Sequence, residues 1–124
     1  MAFRKILLVD HSETVLQMEQ MILAQRSYDL ITARDGEEGV AKAVESKPDL
    51  ILMDVVMPKM NGFELCTVLL EIDANPRICF MSSAEINHQG LREIYPGTNI
   101  GCFIKKPVSI EFLVRKVEEE LELV

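Results

Sequence analysis

Five short apolar runs, separated by stretches with helical periodicity, constrain the fold of this chain more than any other feature. We predict strands at residues 5–9, 28–33, 50–53, 78–81 and 102–104. Several of these runs are continuously apolar, which is typical of parallel strands that helices cover on both faces. The order of elements therefore predicts an α/β fold of the form βαβαβαβαβα, with five strands and five helices.

Polar residues with capping properties mark the starts of the predicted helices. Asp35 with Glu38, and Asn61 with Glu64, have the spacing of a capping box, and Ser109 precedes the last helix. That helix carries an apolar stripe suited to docking on a sheet. The stripe consists of Ile110, Leu113, Val114, Val117 and Leu121, and Phe112 falls on the opposite face.

The fourth predicted helix is the weakest of the five. It falls within residues 85–98, where two glycines, an asparagine and a proline interrupt the pattern. We predict a short helix followed by a loop there.

Length and charge restrict the class of protein. With 124 residues and no linker, residues 1–124 are predicted to form one domain. The net charge of −7, with no basic cluster, opposes binding to nucleic acid. No apolar run could cross a bilayer and no signal peptide precedes residue 5, so we expect a cytoplasmic protein without a membrane partner.

Three cysteines occur at widely separated positions, Cys66, Cys79 and Cys102. They form no Cys-x-x-Cys pair, and no histidines are spaced to complete a zinc site. We therefore expect reduced, buried thiols.

Polar side chains follow four of the predicted strands. Asp10 follows the first strand, Asp54 the third, Ser82 the fourth and Lys106 the fifth. In an open parallel sheet, ligands bind beyond the carboxyl ends of the strands. We therefore expect these side chains to converge on one edge, in an arrangement that suits phosphate chemistry.

The same positions resemble the receiver domain of bacterial response regulators of two-component signalling, including chemotaxis receivers. The similarity spans the chain and rests on three segments: Leu8-Val9-Asp10, residues 48–62 with Asp54 and Met57-Pro58-Lys59-Met60-Asn61-Gly62, and Lys106-Pro107. The resemblance implies a flavodoxin-like sheet with strand order 2-1-3-4-5. It also implies a cis bond before Pro107.

The resemblance implies that Asp54 accepts a phosphoryl group from the phosphohistidine of a sensor histidine kinase or a phosphotransfer protein. Mg²⁺ would be held by Asp10, Asp54 and the backbone carbonyl of Val56, and Lys106 would supply a fixed positive charge. Ser82 would bind the phosphoryl group and, with Phe103, form a switch. The chain would not be an enzyme beyond self-phosphorylation, from phosphohistidine or a small phosphodonor, and slow autodephosphorylation.

His11 departs from the family, which usually has a second acidic residue at this position. We expect weaker Mg²⁺ binding because an oxygen ligand is lost. Three interpretations stay open: the two aspartates still hold Mg²⁺; His11 recruits a softer ion such as Mn²⁺ or zinc; or a protonated His11 lies against Asp54 and mimics a filled site.

Two further departures concern the switch and the lifetime of the phosphoryl group. Phe103 stands where tyrosine is common, so we expect it to lie inward even without phosphate. Val56 and Ala84 occupy the positions that control water in the family. Neither side chain can orient an attacking water, which predicts a long-lived aspartyl phosphate.

Protein contacts are the expected output, because no output domain follows Val124. The resemblance implies a downstream protein target on the face formed by the fifth strand and the last two predicted helices. The third helix is apolar over most of its circumference, and Val68 and Ile72 suggest self-association through it. The alternative is a pseudo-receiver that binds partners without phosphorylation because of His11. A hydrolase or flavin protein is poorly supported, since the sequence lacks their motifs.

Overall fold

The computed structural model describes residues 3–57, 59–72, 77–83 and 100–122. Its five strands form one parallel sheet in the order β2-β1-β3-β4-β5. The strands are β1 Arg4–Val9, β2 Tyr28–Ala33, β3 Leu50–Asp54, β4 Arg77–Ser82 and β5 Ile100–Lys105. Each predicted strand is present and extends beyond its predicted run by at most two residues at either end. The predicted fold class and strand order are therefore confirmed.

Four helices accompany the sheet in the described residues: α1 Glu13–Leu23, α2 Gly36–Ser46, α3 Gly62–Glu71 and α4 Ile110–Glu122. The helix predicted within residues 85–98 lies outside the described residues. Side-chain caps form at the start of all four helices, where the side chains of Ser12, Asp35, Asn61 and Ser109 accept hydrogen bonds from the amides of Val15, Glu38, Glu64 and Phe112. Within the described ranges, no helix is long and apolar enough to cross a membrane.

The sheet separates two apolar cores. Leu16 and Leu23 of α1, with Leu113 and Val117 of α4, pack on one face. Side chains of α2 and α3 pack on the other face. Every residue of β3 is buried, because the central strand contacts helices on both sides. The end of β3 is therefore a well-supported place for a functional side chain.

The stripe predicted for α4 is confirmed for three of its residues, since Leu113, Val117 and Leu121 are buried. Ile110 differs from the prediction and is exposed. As the first residue of the helix, it lies at one end of the docked stripe and lines a surface recess with Met21 of α1.

The expectation of reduced thiols is wrong for two of the three cysteines. Cys79 of β4 and Cys102 of β5 are register partners in the sheet and are joined by a disulfide. Sequence spacing alone could not indicate this pair, because strand register brings residues 23 positions apart to neighbouring sites. Cys66 is a free, buried thiol, and burial raises its pKa to about 12.

Glu19 is a buried carboxyl group on the sheet-facing side of α1, where a helix normally presents apolar residues. Burial raises its pKa from the ordinary value of 4.5 to about 8. The negative charge of Asp10 adds to the increase, Lys106 opposes it, and Asp54 adds a smaller contribution. Glu19 is therefore neutral over most of the range below pH 8.

Reducing the disulfide should destabilise the protein. A crosslink that closes a loop of this length restricts the unfolded chain and is worth roughly 3 kcal/mol. We expect urea unfolding with a reductant to give a free energy of unfolding lower by about that amount. The Cys66→Ala variant should respond to the reductant as the wild type does, whereas Cys79→Ala should not respond. Alkylation of all three cysteines in the denatured, non-reduced protein would contradict the disulfide.

Glu19 should make stability depend on pH. Its pKa in the folded state lies above the value in the unfolded state, so its contribution is complete below pH 4.5 and declines as the pH rises to about 8. Each pKa unit corresponds to about 1.4 kcal/mol, so a rise from 4.5 to about 8 sets the total loss at no more than about 5 kcal/mol.

The Glu19→Gln variant should lack this decline, so its advantage over the wild type should grow as the pH rises through that window. Urea unfolding across the pH range measures the difference. Glu71→Gln, at an exposed position of α3, is the matched control. An advantage of Glu19→Gln that is independent of pH would contradict the raised pKa.

Candidate functional site

Two buried carboxylates meet at the carboxyl edge of the sheet. The pairing of Val9 with Met53 places Asp10 beside Asp54, because each aspartate is the next residue on its own chain segment. The backbone amide of Ser12 donates to Asp10 Oδ1 at 2.9 Å, and that of Val56 donates to Asp54 Oδ1 at 3.3 Å. These hydrogen bonds orient both carboxylates.

Lys106, which follows the edge strand β5, brings a positive charge to the carboxylates. Its Nζ lies 3.1 Å from Asp10 Oδ2 and 3.7 Å from Asp54 Oδ1. The Lys106 amide donates to the Ser82 carbonyl at 2.8 Å, which continues the pairing of β4 with β5 up to the site. The bond from Lys106 to Pro107 is cis, as the resemblance implied.

His11 lies against the other oxygens of the same carboxylates. Its Nδ1 is 3.3 Å from Asp54 Oδ2 and 3.7 Å from Asp10 Oδ1. Its side chain is 51% exposed, so the imidazole borders solvent while the carboxylates remain buried. Each carboxylate therefore has one oxygen directed at Lys106 and the other directed at His11.

The donor atoms of Asp10, His11 and Asp54 fit a divalent cation. One ligand atom from each residue lies within 4.8 Å of the others. Carboxylate oxygens suit Mg²⁺, whereas an imidazole nitrogen suits transition metals better. Val56 follows Asp54 by two residues, and its amide is bonded to the Asp54 carboxylate. Its carbonyl remains a predicted ligand.

Ser82 and Phe103 are the residues of the predicted switch, and their switching role stays a prediction. Ser82 is the buried last residue of β4 and pairs with Lys105. Phe103 of β5 is half-buried and stacks on Phe80, with the ring centroids 5.6 Å apart. Its side chain packs against the core cluster on the α2 and α3 face.

Val56 and Ala84 are the two residues predicted to control water. Val56 is 67% exposed and lies next to the Asp54 carboxylate that its amide contacts. Ala84 lies outside the described residues.

Gly62 explains why the motif after Asp54 ends in glycine. A Cβ atom at this position would lie 2.9 Å from the carbonyl oxygen of Asp54 and 2.9 Å from Phe80 Cε1. Cβ contacts that short essentially never occur in real side chains, so any larger residue at this position would force the backbone of β3 to shift. Asn61 caps α3 immediately before it.

Glu19 is the titratable residue that sequence reasoning missed. It couples electrostatically to Asp10, Lys106 and Asp54 from its position on α1. The signal was present, because Glu19 follows Leu16 by three residues and precedes Leu23 by four, which places it on the apolar face of the helix.

An apolar cavity of about 390 Å³ adjoins the site. Lys106, which contacts both carboxylates, also lines this cavity. Val15 and Met18 of α1 form one wall of it. Ser83 and Pro107 also line it. The site therefore has an apolar approach on the α1 side.

Curated relatives of this chain include bacterial response regulators. The chain is 32% identical over 119 residues to Protein PilH of Pseudomonas aeruginosa, covering 94% of this chain and 97% of that protein. It is 48% identical over 66 residues to the alkaline phosphatase synthesis transcriptional regulatory protein PhoP of Bacillus subtilis. That match covers 53% of this chain and spans only 28% of the length of PhoP, and the match to ResD of the same organism spans 46% of that relative.

Solved structures agree with the sequence relatives. The chemotaxis protein CheY4 of Vibrio cholerae superimposes with a TM-score of 0.84 at 28% identity, over 95% of this chain and 98% of that one. Residues 6–118 match the family described as the response regulator receiver domain. The chain therefore belongs to the receiver domain family of two-component response regulators.

Proposed function

We propose that this receiver domain is phosphorylated on Asp54 and signals through protein contacts. The observation that supports this function best is the position of Asp54 at the end of a fully buried strand, beside Asp10 and within reach of Lys106. Receiver domains interact with histidine kinases or phosphotransfer proteins and with downstream targets. A sensor histidine kinase or a phosphotransfer protein is therefore the proposed phosphodonor.

The Asp54 carboxylate acts as the nucleophile. An Asp54 oxygen forms a bond to phosphorus as the bond between phosphorus and the donor histidine nitrogen breaks, which leaves an aspartyl phosphate. Such a transfer depends on in-line positioning and charge stabilisation more than on a general base. The hydrogen bond from the Val56 amide and the burial of β3 hold the carboxylate in position.

Lys106 and a divalent cation balance the charge of the incoming group. Receiver domains bind Mg²⁺ at an acidic pocket, and a cation held here by Asp10, Asp54 and the Val56 carbonyl would neutralise phosphoryl oxygens. Lys106 already bridges both carboxylates, so its ammonium can move to the phosphoryl oxygens with little rearrangement. The ion pair thus becomes part of the binding site for the product.

Ser82 and Phe103 are the proposed switch. The hydroxyl of Ser82, at the end of the strand next to β3, would donate to a phosphoryl oxygen and draw the following loop inward. Phe103 is already packed against Phe80. The inward position therefore needs no burial of an unpaired hydroxyl, which a tyrosine would require.

The output is proposed to be protein binding on the face formed by β5, α4 and the helix predicted within residues 85–98. With a net charge of −7, the domain is not proposed to bind nucleic acid. Ile72, directly after α3, is exposed and Val68 of α3 is half-buried, while Leu65 and Leu69 lie in the core. Self-association through α3 is the proposed role for these two outer residues.

The alternative function is a pseudo-receiver that binds partners without phosphorylation. The close contact between His11 Nδ1 and Asp54 Oδ2 favours it, because a protonated imidazole there would stand in for a cation. The two functions differ in whether Asp54 can be labelled by a phosphodonor.

Incubation with a small-molecule phosphodonor and a divalent cation should add one phosphoryl group to the wild-type chain. Intact-mass spectrometry measures the product. Asp54→Asn should acquire none, because an amide is not a nucleophile toward phosphorus. Equal labelling of Asp54→Asn, or no labelling of the wild type with Mg²⁺, Mn²⁺ or Zn²⁺, would reject the phosphoacceptor function.

Replacing Val56 by a polar residue should shorten the life of the aspartyl phosphate. In Val56→Asn, an amide next to Asp54 can hydrogen-bond an attacking water, so we expect a half-life several-fold shorter. Loss of the phosphorylated mass over time measures it. Val44→Asn is the matched control, since Val44 is also more than half exposed but lies on α2. Equal half-lives in the Val56 variant and the wild type would refute the role of Val56.

A further inference from the structure

We propose that His11 is a metal ligand that makes this site select first-row transition dications, with Mn²⁺ and Zn²⁺ favoured over Mg²⁺. The inference rests on the proposed function for the location of the cation. It concerns the identity of the cation rather than the transfer of phosphate. It is argued from the positions of the donor atoms around Asp10, His11 and Asp54.

The two carboxylates divide their oxygens between Lys106 and His11. Lys106 takes one oxygen of each carboxylate, Asp10 Oδ2 and Asp54 Oδ1. The remaining oxygens, Asp10 Oδ1 and Asp54 Oδ2, both face His11 Nδ1. A cation on the solvent side of the pair would therefore meet two oxygens and one imidazole nitrogen, while the ammonium keeps its own partners.

Asp54 Oδ2 is the oxygen of this carboxylate that is turned away from Lys106. Oδ1 faces Lys106 and accepts a hydrogen bond from the Val56 amide, whereas Oδ2 lies 3.3 Å from His11 Nδ1. A carboxylate held in a buried environment loses hydration, and a cation beside it offsets that loss. The oxygen available to a further cation is thus the one directed at the imidazole.

The donor atoms have nearly the spacing of ligands around one ion. Ligand atoms about 2.0–2.2 Å from one metal ion lie roughly 3 to 3.5 Å from each other. His11 Nδ1 is 3.3 Å from Asp54 Oδ2 and 3.7 Å from Asp10 Oδ1, and one ligand atom from each of the three residues lies within 4.8 Å of the others. Because the His11 side chain is half exposed, it can adjust its position towards an ion without disturbing the core.

The chemistry of this donor set determines the preference. Mg²⁺ prefers oxygen ligands in a tight octahedron, and exchange of a carboxylate for imidazole removes both an oxygen and a negative charge. Transition dications accept imidazole readily, and their affinities for nitrogen and oxygen sites increase from Mn²⁺ towards copper. One imidazole and two carboxylates therefore reduce Mg²⁺ binding more than they reduce binding of Mn²⁺ or Zn²⁺.

Titration of the full chain with Mg²⁺ and Mn²⁺ by calorimetry, without phosphodonor, tests the preference. We expect the ratio of the Mg²⁺ to the Mn²⁺ dissociation constant to fall at least ~10-fold in His11→Asp, since loss of a metal-supporting group changes affinity by about that factor. Glu13→Gln is the control, because this nearby acidic side chain pairs with Arg34 instead. Its ratio should match that of the wild type.

Electron spin echo spectroscopy of bound Mn²⁺ tests ligation directly. Modulation from a coordinated imidazole nitrogen should appear in the wild type and in Glu13→Gln and disappear in His11→Ala and His11→Asp. A merely structural role for His11 would not produce this signal.

Three results would overturn the proposal. One is the absence of nitrogen modulation from Mn²⁺ bound to the wild type. Another is an affinity ratio that is unchanged in His11→Asp. Wild-type protein that binds no cation until His11 becomes aspartate would likewise overturn it, in favour of a protonated imidazole that replaces the metal. Failure of Asp54 phosphorylation would leave these binding results intact, so the two proposals can fail separately.

Discussion

The pairing of two buried carboxylates with one ammonium group is the interaction on which the site depends. Asp10 and Asp54 lie side by side because their strands are neighbours in the sheet. Two negative charges in a buried environment repel each other and lose hydration, so they require a nearby cation. Lys106 provides it. This arrangement requires three separate strands, β1, β3 and β5, to end at the same edge of the sheet.

The sheet meets that requirement through its order and register. β3 lies between β1 and β4, and β5 adds Lys106 through the continued pairing at Ser82. Two apolar cores, one on each face, hold the strands in place. The close approach of Gly62 to the backbone of Asp54 then allows α3 to begin close to the Asp54 carboxylate. The scaffold and the site are therefore coupled through the same few backbone contacts.

Patterns of neighbouring residues predicted the described strands and helices well. Continuous apolar runs identify buried strands, and a capping side chain identifies the first turn of a helix, because both signals depend on neighbouring residues in the chain. The exceptions involve distant neighbours. Ile110 fits the stripe of α4 but lies at its exposed end, and Glu120 of the same helix is buried because Arg77 of β4 pairs with it at 2.9 Å. Glu19 is buried, and its pKa depends on Asp10, Lys106 and Asp54, which lie far from it along the chain.

By itself the sequence determined the α/β order, the residues at the ends of the strands and the resemblance to receiver domains. Each of these is written in residues close together along the chain. Only the tertiary structure decided that Cys79 joins Cys102 and which carboxylate oxygen faces Lys106 or His11. These features depend on atomic distances between residues that sheet register brings together. Periodicity along the chain reports only on nearby residues and cannot predict such distances.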